Sequence, residues 1–185
     1  MKKIFCTIFL VLFLSGCGRG EAEINQVLQL RGQLEHTPCS FIALVTADYG
    51  DAIYQFTLDC SYTERGDLQF HVLAPETISG ICGQVAAEGG KLQFDDIFLG
   101  FSLLADGQIS PVSAPWVMMR ALTAGYITSV GMDGQFLRAT IQDSYAADAL
   151  TVDFWLEDNL TPVQADIIWK DRRILSVQIK DFQTG

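Results

Sequence analysis

Along most of the chain apolar and polar residues alternate one by one, which is the period of strands with one buried face. Leu68, Phe70 and Val72 alternate with Gln69 and His71. Leu137, Ala139 and Ile141 form a second set, and Leu150, Val152, Phe154 and Leu156 a third. Val163, Ala165, Ile167 and Trp169 follow, then Leu175, Val177 and Ile179. Phe41 to Asp48 and Ala52 to Cys60 read as a hairpin, with Gly50 free to take positive φ in its turn. Glu88-Gly89-Gly90-Lys91 marks another hairpin, between Val85 and the pair Leu92 and Phe94. The dense apolar run of Phe98, Leu99, Phe101, Leu103 and Leu104 predicts a further strand before Asp106-Gly107.

Two stretches break the period of two. Ile24, Val27, Leu28, Leu30 and Arg31 have helical spacing from about Glu21 to Arg31, with Gly32 as the stop. A second helix is predicted from Pro115 to Ala124, with Ser113 as N-cap, Pro115 in the first turn and Gly125 after the end. Turns fall at Asp143 to Asp148, Asp158 to Pro162 and Lys170 to Arg173. Such short connections join antiparallel neighbours. The expected class is α+β: about eight to ten mostly antiparallel strands in a curved sheet, with helices on one face. Phe41, Val45, Tyr54, Phe56, Phe70 and Phe94, with Trp116 and Met119 from the helix, would line a hydrophobic cavity if the helices leave the sheet unfilled.

The N-terminus follows a different logic. Lys2 and Lys3 precede an apolar run from Ile4 to Leu14, broken only by Thr7. That run is too short to span a bilayer, which takes ~20 residues, and has the length of a signal-peptide core. It closes on Leu14-Ser15-Gly16-Cys17, which resembles the lipobox of bacterial lipoproteins. The resemblance implies cleavage after residue 16 and lipidation of Cys17. Residues 1–16 are then the signal peptide, 17–22 a lipidated tether and 23–185 a single domain. Two or three acyl chains, at ~0.8 kcal/mol per buried CH₂, anchor a protein durably. The expected location is the extracytoplasmic face of a cell membrane.

Export changes the meaning of the cysteines. Of five, Cys6 leaves with the signal and Cys17 carries lipid, so Cys39, Cys60 and Cys82 remain. An oxidising compartment permits disulfides. If Asp48 faces Asp51 across the hairpin turn, Cys39 sits directly opposite Cys60, and Phe41, Ala43 and Val45 face Leu58, Phe56 and Tyr54. A Cys39–Cys60 disulfide is then expected, beside the alternative of two buried free thiols. Cys82 has no histidine near it in sequence and reads as inert.

Charge and chemistry narrow the function. There are 22 acidic against 12 basic side chains, for a net charge of −10. That excludes general nucleic-acid binding, which needs a basic surface. G-x-S-x-G, G-x-x-x-x-G-K-[ST], H-E-x-x-H and C-x-x-C are all missing. His36 reads as a loop residue and His71 as a residue on the polar side of a strand. Asp95-Asp96 and Asp153, Glu157 and Asp158 lack a regular ligand spacing and read as solvated carboxylates. No catalytic residue, metal site or cofactor is assigned, and a two-carboxylate hydrolase stays open because spatial separation is invisible in sequence.

Several segments resemble the lipoprotein-carrier superfamily typified by LolA and LolB. They are Phe70 to Ile81 with its proline, Leu160 to Ile167 turning at Pro162, and the closing Ile174 to Phe182. The Pro-Glu-Thr-Ile-Ser-Gly-Ile stretch and Ser110 to Trp116 are similar to the germination lipoproteins of spore-forming Firmicutes within that fold. The resemblance implies a half-open, barrel-like sheet of about 8–11 strands with two or three helices on its concave face. It implies a non-enzymatic envelope protein acting by protein–protein contact, with a cortex amidase as the kind of partner, in spore cortex modification or germination. The alternative is a module that binds or carries an acyl chain or a lipoprotein.

Overall fold

The computed structural model describes residues 19–105, 108–146 and 148–185. The expected signal segment 1–16 and the lipidated Cys17 lie outside the described residues. The chain runs α1 (Arg19–Leu34), β1 (Cys39–Asp48), β2 (Ile53–Tyr62), β3 (Leu68–Ala74), β4 (Cys82–Ala86), β5 (Gly89–Phe94) and β6 (Ile97–Phe101). A small ribbon of β7 (Leu104–Ala105) and β8 (Gln108–Ile109) precedes α2 (Ala114–Ala124). Then come β9 (Tyr126–Asp133), β10 (Phe136–Gln142), β11 (Thr151–Leu156), β12 (Pro162–Trp169) and β13 (Arg172–Thr184). No helix among the described residues is long and apolar enough to cross a membrane.

Eleven strands form one sheet in the order β6-β5-β4-β3-β2-β1-β13-β12-β11-β10-β9. Each hairpin follows from the alternation: the connections are short, so each strand turns back on its predecessor. The sheet is curved, half-open and does not close, so β6 and β9 are its two edges. In its middle β1 pairs with β13, bringing the two halves together.

The helices cover one side. α1 buries Val27, Leu30 and Leu34, residues that share one helical face. α2 is buried on nearly every side: Ala114 to Met119 and Ala121 to Thr123 are all inside. It packs against β2, β10, β12 and β13 and so bridges both halves of the sheet. Three polar contacts fix it there. Trp116 Nε1 donates to the Gly66 carbonyl at 2.8 Å, Tyr62 and Thr123 share a hydroxyl contact at 3.4 Å, and Arg31 Nε of α1 donates to the Leu122 carbonyl at 2.8 Å.

Ser113 stands at the N-cap position that the sequence suggested, but its side chain does not cap the helix. It ends a 3₁₀ turn, Pro111–Ser113, in helical conformation and makes no capping bond. Its hydroxyl is buried and unpartnered. A buried, unpaired hydroxyl costs roughly 1–3 kcal/mol. Ser113→Ala is therefore expected to leave the stability unchanged or raise it by about 1 kcal/mol in urea unfolding. A true N-cap would instead lose about 1 kcal/mol.

The β1–β2 hairpin is corrected in register. Its connection holds four residues rather than two: Asp48 pairs with Ile53, and Tyr49 N–H donates to the Ala52 carbonyl at 3.1 Å. Gly50, at φ 90°, makes the bend, and its N–H donates to Asp48 Oδ1 at 2.8 Å. Cys39 therefore faces Tyr62, and Cys60 faces Phe41. A slip of two residues keeps every side chain on its own face, so the buried set survives while every expected pair moves.

The second hairpin is displaced as well. Ala87 and Glu88 form the turn, while Gly89 and Gly90 lie inside β5. The Phe101 ring occupies the space over Gly90: a Cβ there would lie 2.0 Å from Phe101 Cζ. Phe70 covers Gly83 in the same way. Gly83 and Gly90 serve ring packing between opposed strands, whereas Gly89, at φ 134°, flanks the turn.

Candidate functional site

The residues expected to line a cavity divide into two groups. Phe41, Val45, Phe70, Trp116 and Met119 belong to one continuous packed core, and Phe56 lies half-buried against it. Tyr54 and Phe94 are half-exposed at the rim, which corrects their placement inside. Tyr54 sits at the turn end of the first hairpin, against Tyr49. Phe94 ends β5 on the outermost hairpin, beyond the reach of the helices. The concave space is occupied by α2, whose Met118, Met119 and Leu122 are fully buried.

The outer face of β10 to β13 carries a polar row. Asp153 and Asp166 are register partners and both are more than nine-tenths buried. Arg138 Nη2 and Thr140 Oγ1 donate to Asp153, the latter at 2.6 Å. Asp166 accepts from Arg173 Nη1 at 3.2 Å, Ser176 Oγ at 2.7 Å and Gln164 Nε2 at 3.3 Å. Like charges directly opposite are destabilising, and one arginine on each carboxylate offsets this. Asp153 is thus not the solvated carboxylate of the sequence reading. Asp166 was missed because alternation marks it only as an outward position. Both carboxylates are committed to fixed donors, so the row acts as a brace across four strands rather than as an acid–base pair. Glu157 lies beyond the row, at the start of the β11–β12 turn. Among the described residues no group of three or more His, Cys, Asp or Glu is placed to hold a metal ion.

The most unusual surface is the edge at β5 and β6. Ile97, Phe98 and Leu99 are 70%, 70% and 61% exposed, and Phe94 is 50% exposed. Side chains on both faces of β6 are therefore in water. The strand contains no charge and no proline. Natural sheet edges are normally blunted by lysine, proline or a covering element, and β6 has none of these within it. Its acidic neighbours, Asp95 and Asp96, stand at the turn, where Asp95 takes φ 51°. The other edge, β9, includes Thr128, Ser129 and Asp133 and lies near α1. The sequence predicts one strand over Phe98 to Leu104; the structure ends β6 at Phe101 and places Leu104 in β7. That β6 is the last strand of the sheet among the described residues depends on the whole topology.

The thiols are free: Cys39 and Cys60 are buried and Cys82 is partly exposed. Because the register places Cys39 and Cys60 diagonally rather than opposite, the expected disulfide is not formed. Diagonal neighbours stand roughly 7–8 Å apart, beyond disulfide reach. Burial pushes the Cys39 thiol up to about 12. Burial, then Asp59 and Cys39, push Cys60 up as well. Cys82 was read as having no histidine nearby; His71 is in fact its register partner, with Nδ1 3.1 Å from Sγ.

No family model and no curated protein matches the sequence. Among solved structures, the chain is similar to a putative outer membrane lipoprotein-sorting protein domain from Vibrio parahaemolyticus, at 8% identity and TM-score 0.47, over 86% of this chain and 91% of that one. It is similar to a LolA superfamily protein from Nitrosomonas europaea at 9% identity and TM-score 0.43, covering 85% and 92%. It is also similar to the Mycobacterium tuberculosis lipoprotein LppX at 15% identity and TM-score 0.42, covering 89% and 92%. At these TM-scores nothing about ligand or partner follows.

Proposed function

We propose that this protein is an exported, lipid-anchored envelope protein that acts without catalysis, by contact with another protein through the β6 edge. One observation carries the reading: an uncharged edge strand leaves Ile97, Phe98 and Leu99 in water while α2 fills the concave side. An unblunted edge offers unpaired backbone groups and alternating side-chain sites to an added strand. The lipobox resemblance at Cys17 supports the anchor; residues 19–22 of the expected tether already belong to α1, the helix that leads into the domain. The resemblance of Pro75 to Ile81 and of Ser110 to Trp116 supports a partner in spore cortex modification or germination, such as a cortex amidase.

The test places a photocrosslinking residue at position 98 of the full chain in its own cells. A single envelope protein is expected in the crosslinked band. Ile97→Glu with Leu99→Lys, and the crosslinker kept at 98, should abolish that band. Exposed substitutions of this kind change stability by about 0.5 kcal/mol or less, so the thermal midpoint stays within a few degrees. A band of undiminished intensity in the charged variant, or no band in the parent, overturns the reading.

The alternative, a module for an acyl chain or lipoprotein, is supported by the half-open apolar sheet. Because α2 occupies that space, such a ligand needs α2 to withdraw or must lie on the exposed edge. Native mass spectrometry of the chain extracted from membranes distinguishes the two: a retained lipid adduct favours the ligand-binding reading.

A further inference from the structure

Asp59, His71, Cys82, Gln93 and Phe98 are successive register partners across β2, β3, β4, β5 and β6. They form one row across the sheet, on the face away from the buried Leu58, Cys60, Phe70 and Val72. In this row Cys82 Sγ lies 3.1 Å from His71 Nδ1 and 3.6 Å from the Gly80 carbonyl. A cleft of about 230 Å³ opens over it, lined by His71, Cys82, Lys91, Leu92, Gln93 and Phe98. The charged or titratable groups facing the thiol are thus His71 on β3, Lys91 on β5 and, behind the imidazole, Asp59 on β2. The proposed edge contact does not involve His71 or Cys82.

We propose that Cys82 is a reactive thiol that forms mixed disulfides with small disulfides, with His71 as its proton acceptor. The thiol proton passes to the His71 imidazole, and the Cys82 thiolate attacks one sulfur of the incoming disulfide. The new Sγ–S bond forms as the old S–S bond breaks. The departing thiolate takes the proton back from the imidazolium and leaves as a thiol, so the small disulfide is the only oxidant. The site selects its thiol by geometry. Cys39 and Cys60 are 4% and 0% exposed beneath the same sheet and have no imidazole partner, whereas Cys82 opens into the cleft. Lys91 at the cleft wall favours a disulfide carrying carboxylates.

The test uses oxidised glutathione, and separately an aromatic disulfide reagent, on the full chain extracted from membranes, with sites mapped by peptide mass. One adduct is expected, on Cys82, and Cys82→Ser removes it. An ordinary thiol is only a few per cent ionised at neutral pH. A base held against the thiol raises its reactive fraction, and lower nucleophilicity returns part of the gain. His71→Gln should slow the reaction about tenfold at pH 7, and the gap should close above about pH 9.5, where ordinary thiols ionise unaided. A merely structural role for His71 would leave the ratio independent of pH. Labelling of Cys39 or Cys60 in the folded chain, equal rates at pH 7, or a gap that persists at pH 10 overturns the proposal.

Discussion

Trp116→Ala lowers the stability of the domain by about 3–5 kcal/mol, the range for a buried aromatic truncated to alanine. Trp116 is 8% exposed and stands at the start of α2, where the helix meets the turn between β2 and β3. The truncation removes the ring from the core and leaves the Gly66 carbonyl without its 2.8 Å indole donor. For a domain of this size the thermal midpoint should fall by on the order of 10 °C. The same variant separates the two functional readings. It opens space between α2 and the sheet, where an acyl chain would lie. If the concave side is a ligand site gated by α2, the variant should take up a fluorescent fatty acid more tightly than the parent. If α2 is permanent core, neither binds and only stability changes.

The second large effect is expected at Gly83. A Cβ there would stand 2.5 Å from Phe70 Cζ and 2.7 Å from the Lys91 carbonyl oxygen. The ring can shift, but the carbonyl belongs to the β4–β5 ladder and cannot. Gly83→Val should cost about 3 kcal/mol, the upper end for overpacking, measured by urea unfolding. Combining it with Phe70→Leu should recover only part of the loss, since the carbonyl clash remains. Gly131→Ala is the control: nothing lies within 4 Å of the added carbon, and the change should be within about 0.5 kcal/mol. If both variants lose equally, the close approach of Phe70 to Gly83 is not what holds these strands together.

Period two reveals faces and does not reveal partners. Leu68, Phe70 and Val72 were assigned to one face from alternation alone, and all three are buried. Both helices were legible because their apolar spacing departs from two, although α1 begins at Arg19 and runs through Gly32 to Leu34, and α2 begins at Ala114. Pairing was harder. One backbone bond, Tyr49 to Ala52, lengthens the first turn and moves Cys39 away from Cys60 without moving either from its face. Gly89 and Gly90 looked like a turn because glycine serves turns and close approaches equally well; Gly89, at φ 134°, flanks the turn, and the Phe101 ring accounts for Gly90. The site residues were least legible. His71 and Cys82 are eleven residues apart in sequence and meet only because a bend at Glu76–Ile78 folds β4 back on β3. Asp153 and Asp166 meet for the same kind of reason. Exposure of Phe98 and Leu99 follows from the position of β6 at the end of eleven strands, which no local window contains.

The seam between β1 and β13 governs how this domain can fold. The hairpins on either side, β2 to β6 and β9 to β12, are local and can form early. They become one sheet only when β13 inserts beside β1, closing a loop from Ala43 to Ile179. Contacts of such long sequence separation are formed late and slow the search. A ribosome must therefore release nearly the whole domain before its central ladder can assemble. Until then the two sets of hairpins remain separate halves, and the central ladder is the last part of the sheet to close.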